Sequence, residues 1–395
     1  MARRFFHDHR VQTIDERWRL TTSTLAMVCL GVIAGCAPAV RAVRLPFPTA
    51  IDSVWYVSVR ARDGGRDTRT LAASLEYGVA IFRRTATDGP TVNVEWTLLD
   101  TTAMSADAFA QALRQQVAAL AAPEDYAVLY VHGFATSLHE AWKYTAEARQ
   151  LTGRRAPWIA FCWPSNGHGI ARPRNGELLM RAYHEDSVSA QASRPAFART
   201  AMELVEALDR QQLVMAVHSL GAQLAGESIA GDSALRATLR RRPLRALAFL
   251  VPDVETAHFR DDLLPALVDI AARRVLYVSG RDRALALVSG ADGTPRAGRR
   301  SRPALTGPTL ETVDITDGVT TEGWVQRLFG THHAIRRQAG MLFDLANVVG
   351  TGRGASCRST LGTGVRNDDG TWSLRRVSLP ELDAWRTCPA FGVEP

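Results

Sequence analysis

Lysine is almost absent from this chain: of 47 basic residues only Lys143 is a lysine. The arginines are scattered, as at Arg154-Arg155, Arg240 to Arg242, Arg299-Arg300 and Arg336-Arg337, and the net charge is only +7. No nucleic-acid-binding signature accompanies them, so no nucleic acid partner is expected. Long apolar runs are missing too. None reaches the roughly 18 residues that read as a membrane-spanning helix, which excludes a polytopic membrane protein. HExxH and CxxC spacings are lacking, and the histidines of the body outside the pair His332-His333 are isolated, so no metal is expected. The glycines of 350–371 mimic a dinucleotide loop, but no strand pattern precedes them and no helix pattern follows. No cofactor is expected. No internal repeat is present.

What remains is a globular body. Of its 395 residues 46% are apolar and 22% charged, which excludes wholesale disorder, collagen and coiled coil. The N-terminus reads as an address. Arg3, Arg4, Arg10, Arg17 and Arg19 form a basic segment, Leu25 to Gly35 is an apolar one, and Ile33-Ala34-Gly35-Cys36 closes it. About a dozen apolar residues suit a signal segment and are too few to span a bilayer. The closing tetrad resembles the lipobox of bacterial lipoproteins. It implies a signal peptide over 1–35, lipidation of Cys36, a tether over 36–52 and a membrane-anchored, periplasm-facing location at the cell envelope, on the outer membrane if the cell has one. Such a compartment is oxidising. Of the remaining cysteines, Cys162 lies in an apolar run and reads as core, leaving Cys357 and Cys388 as a candidate disulfide in the tail.

The body reads as α/β. Ser53 to Arg60, Leu75 to Phe82 and Val92 to Leu98 are β-like, and Ser105 to Ala121 has helical spacing with Ser105 as N-cap. Beyond 126, short continuous apolar runs alternate with helical segments: Ala127 to Val131, Trp158 to Trp163, Leu213 to Val217, Leu247 to Val251, Val275 to Val278 and Thr312 to Ile315. Apolar throughout rather than alternating, they predict strands covered on both faces, hence a mixed, mostly parallel sheet with helices on both sides. This gives one domain over 53–349. Gly290 to Pro308 reads as a surface loop, and 350–395 as a flexible C-terminal tail.

The chemistry falls at strand ends. Leu213 to Gly221 reads LVMAVHSLG, a strand, a turn bearing Ser219 and then a helical pattern, which is the context of a nucleophile elbow. Gly221 supplies the small neighbour the turn needs, whereas Val217 stands where glycine or alanine is usual. The strand ending His132-Gly133-Phe134 offers a second group. The amides of Phe134 and Leu220 are the expected oxyanion pair, with His132, Gly133, His218, Trp163 and Ser165 around the substrate pocket. Asp282 follows the Val275 to Val278 strand and is the expected acid, with Asp253 as its rival. Gly330-Thr-His-His-Ala334 offers the base, His332 or alternatively His333. The order Ser219, Asp282, His332 is that of α/β-hydrolases. Asn166 to Arg194 is the candidate lid or specificity segment.

The set VHGF, FCWPSNG, VHSLG, VPDVETAHF and VSGRDRAL resembles a bacterial family of α/β-hydrolases of unknown function, over roughly 53–347. The resemblance implies an α/β-hydrolase fold and a Ser-Asp-His triad at Ser219, Asp282 and one of the paired histidines. The expectation is a serine hydrolase cleaving a small-molecule carboxylic ester through an acyl-enzyme. An acyltransferase on the same triad, or a catalytically silent envelope binding protein, are the alternatives.

Overall fold

The computed structural model describes residues 50–63, 66–87, 93–152, 155–165, 176–307, 309–318, 339–351, 354–360 and 362–375. The chain divides into two compact units, Met1–Pro48 with Ala86–Glu95, and Thr49–Thr85 with Trp96–Pro395. The second carries the sheet. Its strands are β1 (Ala50–Asp63), β2 (Arg66–Thr87), β3 (Asn93–Met104), β4 (Ala127–Val131), β5 (Trp158–Cys162), β6 (Leu213–His218), β7 (Ala246–Leu250), β8 (Arg274–Val278), β9 (Leu310–Asp314), β10 (Gly364–Arg366) and β11 (Trp372–Leu374); the outer ends of β2 and β3 belong to the first unit. The helices are α1 (Ala106–Ala118), α2 (Leu138–Thr152), α3 (Gly176–Ala192), α4 (Arg194–Ala207), α5 (Leu220–Gly231), α6 (Ser233–Arg241), α7 (Arg283–Asp292), α8 (Ala339–Thr351) and α9 (Gly354–Thr360).

The strands form one sheet in the order β10-β11-β9-β8-β7-β6-β4-β5-β1-β2-β3. From β11 to β1 every neighbour pair is parallel, while β2 on β1 and β10 on β11 are antiparallel. Chain order reverses between β4 and β6: β4 connects forward to β5 on one side and pairs with β6 on the other. In open α/β sheets that switch point opens a crevice beyond the carboxyl ends of the strands. Ser219 and Gly133 both lie there.

The continuous apolar runs have the expected cause. In β4 the side chains of Ala127, Leu129 and Val131 enter one core, and those of Val128 and Tyr130 the other. β6 divides the same way, Leu213, Met215 and Val217 against Val214 and Ala216. A period of two with both faces covered removes the polar half of the usual alternation. The first core is closed by α1 through Phe109, Leu113 and Val117, by α4 through Phe197, Ala201 and Leu204, and by α5 through Leu224 and Ile229. The second is closed mainly by α8, through Met341, Leu342, Leu345, Val348 and Val349. Cys162, at the end of β5, is buried as expected.

The segment expected to be a flexible tail departs from that reading. Its described part contains α9 and the β10–β11 hairpin, and β11 pairs in parallel with β9 to extend the sheet. Apolar and ionic contacts both hold it: Trp372 and Leu374 of β11 enter the second core. Arg358 of α9 is buried and grips Asp344 of α8 with two hydrogen bonds, Nε to Oδ1 at 2.6 Å and Nη2 to Oδ2 at 2.7 Å. It also donates to Glu311 of β9, and its guanidinium lies 5.4 Å from the Trp372 ring centroid. Tyr277 donates to the same Asp344 at 2.8 Å. Burial alone would disfavour the arginine cation, but Asp344 and then Glu311 outweigh it and hold the charge. Cys357 is buried in this helix; Cys388, and with it the expected disulfide, lies outside the described residues.

Candidate active site

Ser219 joins β6 to α5 at φ 54° and ψ −124°. A non-glycine residue rarely takes a positive φ, because Cβ crowds the backbone. Surrounding bonds hold it there: its amide donates to Leu250 O at 3.1 Å, and its carbonyl accepts from Asp253 N at 3.1 Å. Ala135 after β4 and Val251 after β7 also have positive φ, 55° and 40°. Three strained residues at the ends of neighbouring strands mark the region, since such strain clusters at active sites and clamps. The sharp turn depends on two close approaches. A Cβ on Gly221 would lie 2.3 Å from His132 O, and one on Gly133 would lie 2.8 Å from Ser219 Cβ and 3.2 Å from His218 Nδ1. Val217 fits without a special device: it points into the first core, fully buried.

After Gly133, the amide of Ala135 donates to Asp186 Oδ2 at 2.9 Å and that of Thr136 to Ser165 Oγ at 3.0 Å. The amide of Phe134 has no partner among the described residues. Leu220 is the first residue of α5, where a helix leaves its amides without intrahelical acceptors and carries partial positive charge. Both donors are thus neighbours of the Gly133–Ser219 contact.

The remaining expected residues fall into two groups. His132 is buried, stacked on Trp163 with centroids 5.0 Å apart, and its Nδ1 donates to Gly133 O at 3.0 Å. Burial, assisted by the Arg60 charge, pulls its pKa down to about 3, so the ring is neutral at physiological pH. Trp163 is fully buried and donates from Nε1 to His132 O at 2.9 Å, making both rings part of the floor. His218 is half-buried beside the elbow, as is Phe134, whose ring meets Tyr183 of α3 edge-on at 5.7 Å. Ser165 is buried and donates to Asp186 Oδ2 at 2.6 Å.

Two buried carboxylates follow β7 and β8. Asp282 is the N-cap of α7, accepting from Leu285 N at 2.9 Å. A carboxylate has two oxygens and several lone pairs, so capping and orienting an imidazole are compatible. Asp253 faces Arg296, Nε to Oδ1 at 3.4 Å, and Tyr183, whose hydroxyl pKa is raised by burial and by the Asp253 charge. His332 and His333 lie outside the described residues, as do Cys36 and the first part of the expected lid. Among the described residues no group of three His, Cys, Asp or Glu could hold a metal, and no helix is long and apolar enough to cross a membrane.

Asp186 and Arg60 were not anticipated. Asp186 was detectable in principle: it stands on the α3 stripe formed with Tyr183 and Ala190, an acid at an apolar-face position. Arg60 carries no comparable signal. It sits where β1 shifts register against β2, both before and after it, and such irregularities re-aim side chains.

A search of curated proteins finds no match to the chain. The family described as "Alpha/beta hydrolase of unknown function (DUF900)" matches residues 105–300, which hold the elbow, the Gly133 loop and both carboxylates. Over those residues the chain is similar to this family of α/β-hydrolases of unknown function, and the sheet order and the elbow agree with an α/β-hydrolase fold.

Proposed function

We propose that the protein is a serine hydrolase that cleaves carboxylic esters. The observation that carries this reading is Ser219 held at φ 54° against Gly133, with the Phe134 amide, which has no partner among the described residues, and the first amide of α5 beside it. The Ser219 hydroxyl adds to the ester carbonyl while His332, or His333 in its place, takes the proton. The oxyanion is met by the amides of Phe134 and Leu220. The carbonyl reforms as the alcohol leaves with the histidine's proton, giving an acyl-enzyme. Water, deprotonated by the same histidine, then releases the acid and restores Ser219. Asp282 orients the imidazole, with Asp253 as the alternative. Removing one oxyanion donor in such sites costs about 3–4 kcal/mol of transition-state stabilisation.

The test is turnover of p-nitrophenyl acetate by the wild type and by Ser219→Ala. The variant loses activity by at least about 10³-fold with an unchanged circular dichroism spectrum. Wild-type turnover in the variant would contradict the reading. We also place the protein at the envelope, held by lipid on Cys36 and facing the periplasm. Cys36→Ala then moves it from the membrane fraction to the soluble one; retention through a carbonate wash would contradict this.

A further inference from the structure

The loop bearing the Phe134 amide is fastened from two sides by buried side chains. Its turn is tied at every peptide after Phe134. The Phe134 carbonyl accepts from Thr136 Oγ1 at 3.3 Å, and Ala135, at φ 55°, donates its amide to Asp186. The Thr136 amide donates to Ser165 Oγ, and its carbonyl accepts from Arg60 Nη2. The two outside anchors are linked. Asp186 Oδ2 receives both the Ala135 amide and the Ser165 hydroxyl, while Arg60 Nη1 donates to Ser165 O at 3.1 Å. Asp186, Ser165, Thr136 and Arg60 are all buried, with exposures of 2%, 1%, 5% and 4%. Buried polar groups of this kind are maintained only when satisfied, so each bond here constrains the others.

The same helix that supplies Asp186 reaches two other strand ends. Tyr183, one turn earlier in α3, faces Asp253 after β7, and Ser189 donates to Pro164 O after β5. One polar stripe of α3 therefore fastens the loops after β4, β5 and β7, of which the first and last meet Ser219. Without Asp186 to accept from Ala135 the left-handed kink loses the bond made at the strained residue itself, and the turn is freer to rotate.

Resting on the hydrolase reading above, we propose that Asp186 is a positioning residue of the reaction. Its carboxylate, with Ser165 and Arg60, holds the Ala135 kink and thereby aims the Phe134 amide at the oxyanion. The stabilising bond is to the transition state, so its misplacement lowers kcat and leaves substrate binding largely intact.

The test measures kcat and KM for p-nitrophenyl acetate in Asp186→Ala, Asp186→Asn and Ser165→Ala, with fluorophosphonate labelling of wild-type Ser219 alongside. Asp186→Ala lowers kcat about 30- to 100-fold with KM within about threefold, the loss expected for a misplaced donor. Asp186→Asn keeps an oxygen that can accept from Ala135 and Ser165, so kcat returns to within about tenfold of wild type. Ser165→Ala lowers kcat about fivefold, and it decides the matter if Asp186→Ala does not fold. Wild-type kcat in Asp186→Ala, or in Ser165→Ala when the former is unfolded, overturns the inference. So does a loss seen in KM alone, or no recovery in Asp186→Asn. A wild-type protein that leaves Ser219 unlabelled and the ester uncleaved overturns the hydrolase reading instead.

Discussion

The elbow at the sheet's centre and the hairpin at its edge are held by opposite means. At Ser219 the chain is packed so closely that two glycines are required, and three backbone kinks store strain where strand ends meet and backbone amides find fixed acceptors. At Arg358 the chain is loose in sequence and tight in charge: one guanidinium joins α8, α9 and β9 through two carboxylates, one of them fully buried with it. The centre carries the proposed chemistry on strained backbone, whereas the edge is fastened by a buried ion pair. Substitutions in the two regions should therefore separate activity from stability.

The largest expected effect is at the edge. Arg358→Ala strands the Asp344 carboxylate, which is 1% exposed, and breaking a buried pair by removing one partner costs about 3–5 kcal/mol. Urea denaturation should show that loss, while kcat of the folded fraction stays at the wild-type value. A fall in kcat with little change in stability would erase the contrast. At the centre, Gly133→Ala places a Cβ 2.8 Å from Ser219 Cβ. Displacement of the nucleophile or of the Phe134 amide should lower kcat about 100-fold. The overpacking itself should cost only about 1–2 kcal/mol of stability, less than at Arg358.

A smaller effect joins the two kinds of measurement. His132 takes up a proton at pH 6.5 when unfolded but only near pH 3 when folded. Between those values the unfolded state binds more protons. The stability that the neutral ring gives is therefore complete above pH 6.5 and declines as pH falls toward 3, by up to about 1.4 kcal/mol per pH unit. His132→Gln should flatten that part of the urea-midpoint profile between pH 7 and pH 5. An unchanged slope would mean that the ring is charged in the folded protein.

The same contrast explains what could be read from the residues. Period, length and apolar content marked β4 to β9, because strands covered on both faces have no alternative partners in sequence. LVMAVHSLG marked the elbow because strand, turn and helix are contiguous there. The edge reads as a flexible tail in sequence, since Arg358 meets Asp344 and Glu311 only in the fold, contacts that low local apolar content conceals. Asp186 escaped for the same reason: its partners, Ala135 and Ser165, arrive from two other loops. Asp282 shows the limit from the other side. Its place after β8 was legible, yet the helix cap it provides and the role of acid look alike in sequence.

The most direct measurement is reaction of the intact protein with a fluorophosphonate probe, followed by mass-spectrometric location of the adduct. The account predicts one modified residue, Ser219, and no modification of the folded Ser219→Ala variant. An adduct on another serine, or none at a probe concentration that saturates a control esterase, would contradict it.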